Sequence, residues 1–389
     1  MFAKRTNWNL EANRLSAALA AHRAAGKPLI DLTLSNPTEC GFRYDEAGIL
    51  EALRNREALN YEPNPRGLEA ARGTVAQYYA DRGQTVSVDD IFLTTSTSEA
   101  YTFAFRALCD PGDEVLIPAP SYPLFEFLAD IQDVRLVRYP LVYDHGWQMD
   151  FPSLQRAITS RTRAVIVVNP NNPTGNFCKP AEMSKLNEIC AAHELAILAD
   201  EVFLDFSRKG ERQATFAGIS GVLTFTLSGI SKICGLPQMK AAWLAVSGPK
   251  EFKDEAQGRL EVIADTYLSA SAPIQWALPA FLAGRQEFQK QVLARMRENL
   301  GELDRQLAQQ LGCSRLQVEG GWNVVLRVPA VEADEELALR LLRRSGVYVH
   351  PGHFYDFPGE GYLVASLIAP EELFAGGIRM VLAGIGERA

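Results

Sequence analysis

TLSGISKICGLPQMKAAW, residues 226–243, decides how the rest of the chain is read. It overlaps the end of one apolar run, VLTFTLS (222–228), and the start of another, AAWLAVS (241–247). Between them stands Lys232, with Ser228, Gly229, Ser231 and Gly235 around it and Ile230 and Ile233 on its flanks. An isolated lysine is ordinarily a solvated surface residue. One that directly follows a buried strand is partly desolvated, which lowers the pKa of its amine and favours imine chemistry.

Outward from this run, short apolar stretches alternate with helical ones: IFLTT (91–95), EVLIPA (114–119), VRLVRYP (134–140), RAVIVVN (163–169), LAILAD (195–200) and the two already named. These predict an α/β architecture with a seven-stranded, mainly parallel sheet covered on both faces. Ligands of such sheets lie at the carboxyl ends of the strands. The polar punctuation falls there: Ser96 to Glu99, Pro120 to Tyr122, Asn169 to Gly175, Asp200, and Ser228 to Lys232.

Residues 9–25 have helical spacing and end at Gly26 and Pro28, and an extended segment, PLIDLTLSNP, follows. Residues 45–84 read as helix, turn, helix about YEPNPRG (61–67). After about residue 250 a long helical region runs to 311. A smaller α+β pattern follows: LQVEGGWNVVLRVP (316–329), a helix over 333–345, VYVHPG (347–352), YLVASLI (362–368) and a last helix over 371–386. The expected organisation is a large domain, 45–285, and a smaller α+β domain made of 1–44 with 286–389. There is no internal repeat or low-complexity tract.

Composition narrows the class. Of the 389 residues, 47% are hydrophobic and 22% charged, as in ordinary globular proteins. A net charge of −8 with no concentrated Lys/Arg argues against nucleic-acid binding, though not against a local phosphate pocket. The six cysteines share no CxxC spacing and read as reduced thiols of a cytoplasmic protein. The start, MFAKRTNWNLEANRLSAAL, has charges throughout and no apolar core of a signal peptide. No uncharged run approaches the ~18 residues of a membrane helix.

Three further motifs carry chemistry. Asp200, closing the strand in AILADEVF, either caps or ion-pairs structurally, or holds a pyridinium nitrogen protonated. In NPNNPTG (169–175), a turn sequence, Asn172 is placed to donate its amide to an aromatic oxygen. STSE (96–99) has the form of a capping box, Ser96 as N-cap with Glu99 reaching back to it, and the same geometry presents backbone N–H groups to a phosphate.

In this order and spacing, NPNNPTG, the Asp of ADEVF and the SK of GISK resemble the class I/II aminotransferases, pyridoxal 5'-phosphate (PLP) enzymes of fold type I, over nearly the whole chain from Leu34 to Ser366. The resemblance implies that Lys232 carries PLP as a Schiff base and shuttles the catalytic proton, with Asp200 on the pyridine nitrogen. It implies Asn172 on O3' of the ring, Tyr122 of APSYPLF stacked on the ring face, and Ser96, Thr97, Ser98 and Ser231 around the phosphate. Tyr61 of YEPNPRG matches a tyrosine that reaches the phosphate of a neighbouring subunit, which implies a homodimer with shared sites. Ser35 takes the place of a family glycine near the substrate.

Three positions depart from the family pattern. The phosphate-binding arginine eight residues after the Schiff-base lysine is here Lys240, which keeps the charge and loses the bidentate fork. The tyrosine three residues after the aspartate is Phe203, which leaves O3' to Asn172 alone. The arginine that clamps the substrate α-carboxylate is Val364, in GYLVASLIA. Either another cation replaces it, with Arg327, Arg379 and His353 candidates by region, or the substrate has no α-carboxylate there. In VHPGHFYDF, His350 and His353 either meet the substrate or bond the backbone of a turn. Trp322 and Asn323 of GGWNVV lie where substrate-side residues occur.

The implied reaction is ping-pong transfer of an amino group from a small-molecule amino donor to a keto acid or related carbonyl acceptor. The alternatives are a PLP lyase or decarboxylase of the same fold and a non-catalytic binding module. Retention of Lys232, Asp200 and Asn172 disfavours the last.

Overall fold

Runs of β-branched and apolar residues such as Ala164 to Val168 are most stable when both pleated faces are covered, and the chain is built around that requirement. In the computed structural model, which describes residues 1–386, a short strand β1 (Ile30–Asp31) precedes those of the large sheet. These are β2 (Ile91–Thr94), β3 (Glu114–Ala119), β4 (Arg135–Tyr143), β5 (Trp147–Met149), β6 (Thr162–Val168), β7 (Ala196–Asp200), β8 (Thr224–Gly229) and β9 (Ala242–Ser247). They lie in the order β2-β9-β8-β7-β6-β3-β4-β5. Neighbours pair in parallel from β8 through β7, β6 and β3 to β4, whereas β9 runs antiparallel between β2 and β8.

The seven strands read from the sequence are all present, and the sheet has an eighth. β5 pairs antiparallel with the end of β4 through a tight turn at Asp144, His145 and Gly146. Its three residues, WQM, are too short to show a period of two beside turn residues, so the segment reads as loop in the sequence.

Side chains alternate across the sheet. Ala164, Ile166 and Val168 pack with the helices Thr97–Leu108 and Lys250–Tyr267, while Val165 and Val167 pack on the other face against Pro180–Ala192. From β3 the chain moves outward to β4, but from β6 it moves the other way through β7 to β8. Such a reversal of strand order opens a crevice at the carboxyl ends.

The C-terminal part forms a second sheet from β10 (Ser314–Arg315), β11 (Asn323–Arg327), β13 (His350–Pro351) and β14 (Tyr362–Ser366), in the order β10-β11-β14-β13. Between β11 and β13, β12 (Val347–Tyr348) pairs in parallel with β1, tying the N-terminal segment to this part. The helix Asp334–Ser345 that leads to β12 has three acidic residues in its first turn and Arg343 and Arg344 in its last, matching its dipole. It ends at Gly346 in the left-handed region (φ 66°), where a Cβ would stand 2.5 Å from the carbonyl oxygen of Pro28, so only glycine fits. The residue 285/286 boundary expected from sequence lies inside one continuous helix, Ala272–Leu307. Among the described residues no helix is long and apolar enough to cross a membrane.

The far end of β14, which faces the crevice, is fixed by backbone bonds. Ser366 N–H donates to the Leu32 carbonyl (2.7 Å) and Leu367 N–H to the Trp322 carbonyl (2.7 Å). Asn299, buried in the long helix, donates its amide to the carbonyls of Leu367 (2.9 Å) and Ala369 (2.8 Å). Asn299→Leu leaves both acceptors buried without a partner. It is expected to cost about 2–4 kcal/mol of unfolding free energy in urea denaturation, and a loss below about 0.5 kcal/mol would show that these bonds do not hold the strand.

Candidate active site

Lys232 is the third residue of a single helical turn, Ile230–Ile233, that follows β8 directly. Ile230 and Ile233 are fully buried and anchor the turn, and Ile230 N–H donates to the Ala241 carbonyl (3.0 Å). The strand can approach its neighbour this closely because residue 229 is glycine: a Cβ there would lie 2.8 Å from that of Ala242. The Lys232 ammonium is 4.9 Å from the centre of the Trp322 ring and 5.7 Å from that of Phe203. Burial lowers its pKa, against the smaller opposing pull of Asp200 and Cys40. The low-pKa amine expected from sequence is thus present, and its surroundings are aromatic.

The amine faces a cleft of about 520 Å³ at the carboxyl ends of the strands, closed on one side by the second sheet. Asp200, the last residue of β7, reaches it while being 91% buried. Its carboxylate accepts from the Val202 N–H (3.1 Å) and the Tyr101 hydroxyl (3.3 Å), and it forms no salt bridge among the described residues. Burial raises its pKa to about 6, with those two donors and Lys232 pulling the other way. Tyr101 was not singled out by the sequence reading: inside the helix Thr97–Leu108 it has the spacing of an ordinary core residue.

Asn172 lines the same cleft, beyond β6. Its side-chain oxygen accepts from the Asn323 amide (2.7 Å), so its own NH₂ is left to donate. Asn323 belongs to β11 and acts as the orienting partner. Phe203, at the place of a family tyrosine, packs edge-on against Trp322 (5.2 Å between ring centres) and beneath Lys232. Here the ring shields the amine and supplies no hydrogen bond.

A group of small polar residues gathers where the helix Thr97–Leu108 begins. Ser96 is its N-cap, accepting from Glu99 N–H (3.2 Å). The capping box differs from the one expected: Glu99 reaches back to the N–H of Thr95 (2.7 Å), one residue beyond Ser96, because Thr95 and Ser269 also offer it hydroxyls. The first-turn N–H groups of Thr97 and Ser98 have no intrahelical acceptor and lie at the positive end of the helix dipole. Ser96, Thr97, Ser98, Ser231 and Lys240 all line the cleft. Lys240 adopts a left-handed backbone (φ 53°), uncommon for a side chain with a Cβ and found where surroundings enforce it.

Tyr122 and Ser35 also line the cleft, Tyr122 at its mouth with 43% of its surface exposed. Tyr61 and His353 do not: Tyr61 is 83% exposed elsewhere, and His353 points to solvent. Of the two histidines, His350 reaches the cleft, with its Nδ1 3.0 Å from the Tyr355 hydroxyl. Neither Arg327 nor Arg379 lines it, both being exposed. Among the described residues, the basic side chains of the cleft are Lys232, Lys240 and His350.

This donor set fits PLP. A buried carboxylate without a salt bridge suits a pyridinium, and free helical N–H groups with three serines, a threonine and a lysine suit a phosphate dianion. Comparison with known proteins agrees. The model of the family "Aminotransferase class I and II" matches residues 27–370. An alanine aminotransferase of Mycobacterium tuberculosis is 30% identical over 351 residues, covering 87% of this chain and 81% of that protein. A glutamate-pyruvate aminotransferase of Escherichia coli is 28% identical over 344 residues, covering 86% and 84%. The fold superposes on a solved alanine aminotransferase from Pyrococcus furiosus with a TM-score of 0.89, at 24% identity and over the whole of both chains. The chain belongs to the class I and II aminotransferases, and is a PLP-dependent enzyme that moves an amino group between small-molecule amino and carbonyl substrates.

Proposed function

We propose that Lys232 is the residue through which PLP is held and through which the transferred proton moves, with Asp200 as its essential counterpart at the far end of the ring. The observation that carries this is the placement of a desolvated amine and a desolvated carboxylate at the ends of adjacent strands, facing one cleft, with no salt bridge between them. Bound PLP supplies an electron-accepting ring. Asp200 keeps the ring nitrogen protonated, and Tyr101 and the Val202 N–H hold its carboxylate in place. Asn172, oriented by Asn323, donates to the ring oxygen. The N–H groups of Thr97 and Ser98, with the side chains of Ser96, Ser98, Ser231 and Lys240, neutralise the phosphate. Tyr122, at the mouth of the cleft, would offer its ring to the cofactor. Burial favours the neutral form of the Lys232 amine, the form that can act as a base for the proton that amino transfer moves.

The reading extends to assembly. Tyr61 is exposed two residues after the exposed Leu59, and it fits a role at the phosphate of a second subunit in a homodimer. The grouping of residues 1–44 with the C-terminal part in a small lobe is supported by the pairing of β1 with β12, while the 285/286 boundary lies within a continuous helix. Cytoplasmic residence is supported by six free cysteines.

Two measurements test the assignment. An amino donor supplied without acceptor should yield one carbonyl product per subunit and no free ammonia. Lys232→Ala should lower turnover at least ~10²-fold, and release of ammonia would indicate lyase chemistry instead. The second measurement concerns the cofactor-free protein. Because burial raises the Asp200 pKa to about 6 from 3.8, the folded chain holds a proton that the unfolded chain has lost between those values. The stability this contributes is full below 3.8 and is lost as pH rises through about 6. Asp200→Asn, neutral throughout, escapes that loss. Its apoprotein should gain on the order of 2–3 kcal/mol on wild type between about pH 4 and pH 8, while PLP affinity falls at least ~10-fold. Parallel stability curves for the two proteins would contradict the buried-carboxylate account.

A further inference from the structure

The second sheet presents one face to the cleft, and its register shows which residues meet there. His350 lies opposite Val364 across the β13–β14 pair, and Ser366 lies opposite Asn323 across β14–β11. Directly opposed residues of an antiparallel pair share a face, and all four line the cleft. None of them brings a positive charge. Val364 is apolar, Ser366 and Asn323 are neutral, and His350 is kept unprotonated near neutral pH by burial, its pKa lowered to about 4. The charged groups facing His350 do not reverse this, since Asp31 acts on it more weakly than burial does. Arg327 stands at the opposite end of β11, across from Tyr362, and is exposed.

Among the described residues, the cations left in the cleft are Lys232 and Lys240. On the aminotransferase reading, the first is engaged with cofactor and proton, the second with phosphate. A carboxylate on the substrate's reacting carbon would therefore enter a half-enclosed site in which no further cation among the described residues of its own chain pairs it, and desolvating an unpaired carboxylate is strongly unfavourable. A neutral group meets a better environment, because the Ser366 hydroxyl and the His350 ring both offer hydrogen bonds there. The mouth adds apolar surface from Tyr122, Leu124 and Phe354.

We infer that the amine substrate is one whose nitrogen-bearing carbon carries a neutral hydrogen-bonding group, hydroxymethyl or carboxamide, together with an apolar side chain, and that Val364 and His350 set this choice. The inference rests on the aminotransferase reading and specifies its substrate class. In the overall transfer the donor's C–N bond breaks and its carbon, oxidised by two electrons, becomes a carbonyl with oxygen from water. The nitrogen and the two electrons pass to a carbonyl acceptor, which is reduced to an amine while its oxygen leaves as water.

The test uses the PLP-loaded wild-type enzyme with a matched series: L-phenylalaninol, L-phenylalaninamide and L-phenylalanine. Spectral conversion of the cofactor to its amine form should proceed at least ~10-fold faster per unit concentration with the two neutral amines than with phenylalanine, the discrimination a lost ionic hydrogen bond gives. Equal or faster conversion by phenylalanine overturns the inference. Conversion by alanine or glutamate but by neither neutral probe also overturns it, and leaves the aminotransferase reading intact. No conversion by any of these amines removes that reading, and the inference with it. A binding readout without turnover is calorimetry with 3-phenylpropanamide and 3-phenylpropanoate. Wild type should prefer the amide, and Val364→Arg should reverse the preference. Should the buried arginine prevent folding, the wild-type preference decides alone, and tighter binding of the carboxylate overturns the proposal.

Discussion

Lys232 is buried against the rings of Trp322 and Phe203 and not against a carboxylate, and the site is arranged around that fact. A salt bridge would hold the ammonium charged and make it a poor base. Aromatic faces tolerate the cation when it forms and do little to prevent its losing a proton. The arrangement needs both parts of the molecule. The strand β8 and its glycine supply the lysine, Phe203 follows β7, and Trp322 precedes β11 in the second sheet. The ties of Asn299 and Leu32 to the end of β14 therefore matter to the chemistry even though none touches the cleft.

Asp200 completes the same logic with the opposite sign. A carboxylate nine-tenths buried without a salt bridge destabilises the empty protein, and a cationic ring placed against it recovers that free energy on binding. The two hydrogen bonds that aim it come from a backbone N–H and a tyrosine hydroxyl, which position the group without neutralising it. The free first-turn N–H groups of the helix Thr97–Leu108 likewise favour an anion.

Much of this was legible in the residues themselves. Short runs rich in β-branched residues and bounded by turn residues mark seven of the eight strands of the large sheet, and their carboxyl ends mark the side where a ligand binds. Lys232, Asp200, Asn172 and the serines lie within a few residues of strand ends, where local sequence and tertiary position are nearly the same information. What escaped the reading was non-local. Tyr101 has helical core spacing, and only the packing of its helix against β7 brings its hydroxyl to Asp200. Asn323 reads from the sequence as a substrate-side residue, and its bond to Asn172, 151 positions away, does not. His350 and His353 are three residues apart, and the turn between them alone decides that the first faces the cleft and the second solvent. The capping box shifted by one residue because Ser269, far along the chain, competes for Glu99.

The placement of Lys232 makes a claim that can be read chemically. Incubating the apoprotein with PLP, reducing with borohydride and mapping the labelled peptides identifies the amine that forms the imine. The account predicts a single modified lysine at position 232, with Lys240 unlabelled although it lines the same cleft. Label on Lys240, or spread over several surface lysines, would contradict it.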